Sequence, residues 1–251
     1  MKTIALCLIS AVALIFGFWS RSESQEQQAE AKAEIKKKKR NARYHSDIEN
    51  VANLRDGERR VSFVDFVDTT GYDPKMSAQE KEKIRNRLEK EHKEKRKSVA
   101  CDATVILYGT IKDPRGYVTE DNTAIYTIYK LAITEVIRAP QSLVFSAGAE
   151  IEVTVPGGTA KTADGRRITV EDPTYTPLLP TRPHILLLKY DEEADDYYVF
   201  DPLGVYKIMK DGTMIRGDAK HAQLVKEAYL AKEPNTVEAV LSELKSLDCK
   251  K

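Results

Sequence analysis

At 251 residues, with 31% charged side chains and a formal net charge of +1, the chain carries no global field that would gather nucleic acid or an anionic surface, so an electrostatic partner must be met by local patches. The first hundred residues are too polar to build a core. That leaves one folded domain of roughly 110 to 150 residues.

The chain opens with Lys2 and an uncharged apolar run from Ile4 to Trp19, then turns polar at Arg21, Glu23, Gln25 and Glu26. This is the layout of an export signal or membrane anchor over residues 1–22. Sixteen helical residues reach about 24 Å, short of a hydrocarbon core of roughly 30 Å, which favours cleavage over permanent anchorage. The best small-residue pair for cleavage is Ser20-x-Ser22, a poor site, and Cys7 follows Leu6 too early for lipid attachment. The expected location is periplasmic, secreted, or held at the membrane by the uncleaved segment.

Residues 23–97 read as a charged helical or disordered arm. The run Lys36-Lys37-Lys38-Lys39-Arg40 could meet anionic lipid or nucleic acid, but such runs are more often a solvated helix face or a tether. Val61, Phe63, Val64, Phe66 and Val67 suffice for one strand or a docking segment. Ser77-Ala-Gln-Glu80 has capping-box spacing and predicts a helix start. Between Lys81 and Lys97 only Ile84 and Leu88 are apolar, so that helix reads as a spacer, and deleting residues 23–97 should cost the domain little.

Strand periodicity begins near Val99, where Ala103, Val105, Leu107 and Ile111 alternate with polar residues. Asp113-Pro-Arg-Gly116 has the composition of a turn. In the next strand Ile125, Thr127, Tyr129, Leu131 and Ile133 share a face until Val136 breaks the phase, which suggests a bulge. Ile151, Val153 and Val155 make a third strand, Asp164-Gly165 marks a hairpin, and Ile185-Leu-Leu-Leu188 should be central. An acidic loop, Asp191 to Asp196, leads into Tyr197-Tyr-Val-Phe200, and a hairpin across Asp211-Gly212 closes the series.

The predicted class is therefore mainly β (α+β): a small antiparallel barrel of OB-like form over residues 98–217, with two helices over 218–251 packed on it. Asp218 starts the first of these. Asn235 with Glu238 has a box-like spacing at the start of the second, whose Val237, Val240, Leu241, Leu244 and Leu247 line one face. Past the leader, two cysteines remain, Cys101 and Cys249. An even count in an exported chain permits a disulfide, and two unrelated thiols remain the alternative.

A strand beginning at Cys101-Asp-Ala, a Tyr-rich strand ending Ile133-Thr-Glu-Val-Ile137, then Val153-Thr-Val-Pro-Gly-Gly158, Ile185 to Leu188 and a final amphipathic helix together resemble an uncharacterised barrel domain of exported bacterial proteins. More remotely, the strand pattern is similar to the netrin-like, OB-type barrel of the tissue inhibitors of metalloproteinases. Those inhibitors chelate a protease zinc through an N-terminal cysteine, which the resemblance would place at Cys101. Here a hundred residues precede it, so the resemblance implies a fold and a leaning toward protein binding rather than a mechanism.

Catalytic and cofactor motifs do not stand out. Pro156-Gly-Gly-Thr-Ala-Lys-Thr162 lacks the glycine spacing of a phosphate loop, and Asp191 to Asp196 lacks the glycine of a calcium loop. His45, His92, His184 and His221 are scattered, and no Gly-x-Ser-x-Gly elbow occurs. No cofactor or metal is expected. The leading expectation is a non-enzymatic binding or scaffolding module of the cell envelope that meets a macromolecule through Pro114, Arg115, Tyr117, Gly157, Gly158 and Lys161. The alternatives are an enzyme whose site is assembled from distant residues and, disfavoured by export, an OB-type nucleic-acid binder.

Overall fold

A computed structural model describes residues 26–44, 51–61, 75–171, 175, 177–212, 214–216 and 236–249. It is sheet-rich. Helix α1 spans 26–44, and the described residues continue through β1 (Arg59–Val61), α2 (Ala78–Asp102), β2 (Val105–Val118), β3 (Ile125–Arg138), β4 (Glu150–Pro156), β5 (Gly158–Lys161), β6 (Arg167–Glu171), β7 (Pro183–Asp191), β8 (Asp196–Val199), β9 (Val205–Ile208), β10 (Met214–Arg216) and α3 (Val237–Ser246).

The ten strands form one mixed sheet in the order β1-β6-β5-β2-β3-β4-β8-β7-β9-β10, with a further pairing of β2 to β7. That pairing closes a ring, because β2–β3, β3–β4, β4–β8, β8–β7 and β7–β2 return to the starting strand. All are antiparallel except β4–β8. The phase break at Val136 is real: β3 skips one residue against β2 on either side of the Leu107↔Val136 and Tyr108↔Glu135 pairs. The bulges let one long strand bend around the ring.

Three cores follow from the alternation of side chains across the sheet. Leu107, Leu131, Val153, Leu186, Leu188 and Val199, from all five ring strands, share the first. Their neighbours Ile106, Ile185 and Leu187 point the other way, into a second core covered by Val99, Ala100 and Ala103 of α2 and its C-cap and by Val240 and Leu244 of α3. Both faces of β7 are thus buried, which is why Ile185 to Leu188 reads as an unbroken apolar run.

Three expectations are corrected. Asp113-Pro-Arg-Gly116 is not a turn between strands but a bulge inside β2, with Asp113 at φ 45° and Pro114, which has no N–H, out of the ladder. The true reversal comes at Thr119 to Ala124, where Thr119 donates to the Ala124 carbonyl. Cys101 lies in the last turn of α2, not at the start of a strand: the capping box of Ser77 and Glu80 does begin that helix, but it runs on to Asp102 because its final turn has apolar residues to bury. Thr236, not Asn235, caps α3, accepting from the Ala239 amide.

Part of the stretch read as an arm also belongs to the body. Val51 and Leu54 are buried with Ile125, Ala160 and Ile168 in the third core, and β1 runs parallel to β6. Val61 ends β1, while Phe63 to Val67, residues 1–22 and the helix expected after Asp218 lie outside the described residues. Among the described residues no helix is long and apolar enough to cross a membrane.

Candidate binding cleft

The loops at Pro114–Gly116 and Pro156–Lys161 are brought together by one close backbone approach. Gly116 pairs with Ala160, and a Cβ on Gly116 would stand 1.9 Å from the Thr159 carbonyl oxygen. Glycine is what lets β5 lie against β2. Beside this contact opens a cleft of about 680 Å³ lined by Pro114, Pro156, Pro177, Pro180, Tyr129 and Tyr175, with Gly157, Gly158, Leu178 and Lys161 among the remaining walls.

The polar groups of the lining bond mostly to one another. Thr127 donates to the Gly157 carbonyl at 2.7 Å, the Thr159 and Thr169 hydroxyls are 2.8 Å apart, and Arg59 pairs with Glu171 at 2.5 Å. Burial pushes the Tyr129 phenol up, against the opposing effect of a backbone hydrogen bond at Leu178. What the cleft offers a visitor is chiefly proline surface beside the half-buried Tyr175, with the exposed Lys161 and Arg167 at its margin.

His184 holds the segment that forms the far wall. It is fully buried, Nε2 accepts from the Leu179 amide at 3.3 Å, and Nδ1 lies 3.0 Å from the Arg182 carbonyl. A carbonyl only accepts, so Nδ1 carries the proton and the ring is neutral. Burial lowers its pKa to about 4, with the Arg182 carbonyl acting the other way. Both nitrogens are engaged in shaping the loop, which makes this histidine a positioning group.

Strand alternation divides the six loop residues expected from sequence. Pro114, Gly157, Gly158 and Lys161 line the cleft. Arg115 and Tyr117 do not, because they fall on the opposite face of β2 from Pro114 and Gly116. Tyr117 instead stacks on Tyr126 at 5.7 Å, and Tyr126 on Tyr44 of α1 at 5.3 Å.

That second face holds a polar cluster which the sequence did not single out. Asp196, fully buried, accepts from Arg40 Nη2 at 2.7 Å and Nε at 3.1 Å, from Arg43 Nη1 at 2.6 Å and from the Thr154 hydroxyl at 2.9 Å. Arg40 also reaches Glu152 and Arg43 reaches Asp191, each at 3.1 Å. Burial opposes the charge on Arg40, but the Asp196 and Glu152 carboxylates outweigh it and its pKa rises. The Arg43 guanidinium lies 3.7 Å from the centre of the Tyr198 ring. Flanking pairs join Lys36 to Glu152, Lys37 to Glu120 and Lys39 to Glu193. The basic run is therefore divided: Arg40 at its end is buried in the docked interface, while Lys37 and Lys38 stay exposed. The spacing of Arg40, Arg43 and Tyr44 on one side of a helix, and an acidic loop of matching charge, were the signals available.

Cys101 and Cys249 form a disulfide, with Cα atoms 5.3 Å apart and a sequence separation of 148. Cys101 is thereby no free thiolate for the zinc chemistry of the metalloproteinase inhibitors. Among the described residues no three His, Cys, Asp or Glu side chains gather as a metal site. Compared with known proteins, the chain matches no family model and no curated protein.

Proposed function

We propose that the protein is a non-enzymatic binding or scaffolding module of the cell envelope, delivered by residues 1–22, whose recognition surface is the cleft between Pro114 and Lys161. The domain is best read as OB-like. Its five ring strands connect in the order first, second, third, fifth, fourth, with a single parallel pair between the third and fifth. That arrangement supports the OB reading and, through it, the likeness to netrin-type modules.

One observation carries the functional reading. Two loops about forty residues apart in sequence are held together at Gly116 to form a cleft rimmed by prolines, with Tyr175 half-buried in its wall and Tyr129 buried at its base, while its hydroxyls and carboxylate are engaged within the protein. Such a surface suits an extended macromolecular segment gripped by apolar contact, since rigid rings cost little conformational entropy to bury. Lys161 and Arg167 at the margin favour a segment with a carboxylate nearby.

Titration with extended peptides, proline-containing and control, tests this by amide chemical shifts. Saturable changes confined to residues 114–117, 156–161 and 175–180, weakened by Lys161→Glu for acidic peptides, are the expected result. Hydrolysis of a generic peptide, ester or glycoside that one point mutation abolishes would overturn the reading in favour of an enzyme.

A further inference from the structure

Among the described residues, the contacts of α1 are confined to its second half. Residues 26–35 are exposed, Ile35 among them at 46%. From Lys36 onward the helix is held by lysine and arginine pairs and by Tyr44 on Tyr126. It contributes no aliphatic side chain to any of the three cores. At the same interface the Tyr44 phenol is enclosed between Arg43 and Thr154, and burial pushes its pKa up.

We infer that the acidic and aromatic face formed by Glu152, Thr154, Asp196, Tyr126 and Tyr198 is a docking site for a helix bearing Arg-x-x-Arg-Tyr, and that the α1 segment of a second copy of this chain occupies it in exchange for the chain's own. Charge complementarity selects the occupant. Arg40 and Arg43 grip one carboxylate from two sides, a geometry that planar guanidinium forks fulfil and lysine does not. The side chains that recognise the face lie within five residues, Arg40 to Tyr44, at the helix end that leads into residues 45–50.

Exchange swaps identical contacts, so its equilibrium depends on concentration against the effective concentration set by that short connection. Its rate depends on breaking the buried pairs of Arg40 and Arg43 with Asp196 and on unstacking Tyr44 from Tyr126, steps that salt affects far less than it affects the exposed lysine pairs. Copies joined in this way share helices, which gives an envelope module a means of linking to its own kind.

Equal amounts of ¹⁴N- and ¹⁵N-labelled full chain, incubated together and treated with a zero-length carbodiimide cross-linker, provide the test. The pairs Lys39–Glu193 at 2.5 Å and Lys37–Glu120 at 2.9 Å are the reporters. Exchange predicts linked peptides of mixed isotope, rising with protein concentration. Linked peptides of single isotope alone, at millimolar protein and after incubation in salt, would overturn it. A synthetic peptide of residues 26–44 should reduce the mixed links, and the same peptide with Arg40→Ala and Arg43→Ala should not. Equal competition by both peptides would also overturn the proposal, since recognition would then not reside in the two arginines.

Discussion

Arg138 Nη1 donates to the Sγ of Cys249 at 3.3 Å, placing a guanidinium of β3 on the bridge that ties the C-terminal tail to α2. The same side chain donates to the carbonyls of Ala100 and Ala103, which the end of α2 leaves without helical partners. One residue thus joins sheet, helix terminus and disulfide.

Removing the bridge with Cys101→Ser and Cys249→Ser should cost about 4 to 5 kcal/mol on the chain-entropy model, because it closes a long loop. Denaturant midpoints of the oxidised chain and the double variant check this; coincident midpoints would show that the loop closure contributes nothing. Arg138→Ala should cost about 1 to 3 kcal/mol with the bridge intact, by leaving the α2 carbonyls unsatisfied.

Stability should fall in mild acid through His184. Its folded pKa is depressed to about 4 from an ordinary 6.5, so the unfolded chain binds the extra proton first. The stabilisation is complete above pH 6.5 and is lost as pH falls from 6.5 to 4, amounting to about 3 kcal/mol. A His184→Gln variant should be less stable at neutral pH and lose this slope. Urea midpoints from pH 7 to pH 4 read both effects.

Asp196→Asn should cost about 3 to 5 kcal/mol, because two guanidiniums then face each other with their shared counter-charge removed. Release of α1 should accompany it, seen as faster amide exchange over residues 36–44 and loss of Tyr44 stacking. Exchange in α1 unchanged from the parent would show that the helix is held elsewhere.

Gly116→Ala should cost more than Gly148→Ala. The first drives a Cβ to 1.9 Å from a backbone oxygen and must part β5 from β2, whereas the second meets nothing within 4 Å and bears only the strain of φ 83°. The latter is worth about 1 to 2 kcal/mol. Chemical shifts at Lys161 and Tyr175 should move in the first variant and stay in the second.

The strands were legible because burial on one or both faces leaves a period of two or an unbroken run, as in Leu131 to Ile133 and Ile185 to Leu188. The end of α2 was not, since Val99 to Ala103 carries apolar residues that suit either a strand or a docked helical turn; only the second core decides between them. Asp113 to Gly116 misled for a related reason. Its composition is that of a turn, but β2 has partners on both sides of it and carries the irregularity as a bulge. The cleft was half legible: proline and glycine pointed to its loops, while the far wall around Tyr175 to Pro180 depends on His184, whose two bonds no spacing reveals. The Arg40, Arg43 and Asp196 cluster joins side chains more than 150 residues apart, and a charge run by itself does not say what it faces.

The ring closes through partners far apart in the chain: Val105 lies opposite Leu188, and Val153 opposite Tyr197. A polypeptide emerging from its N-terminus first cannot finish the ring until β7 and β8 have appeared, so the hairpin of β2 and β3 waits with the β2 edge unpaired while about sixty residues follow. Arg40 waits for Asp196 and Cys101 for Cys249 over still longer intervals. Such dependence on distant contacts makes folding slow and late. Through that interval the exposed edge of β2, with its alternating Val105, Leu107 and Ile111, is the segment most in need of a chaperone's cover.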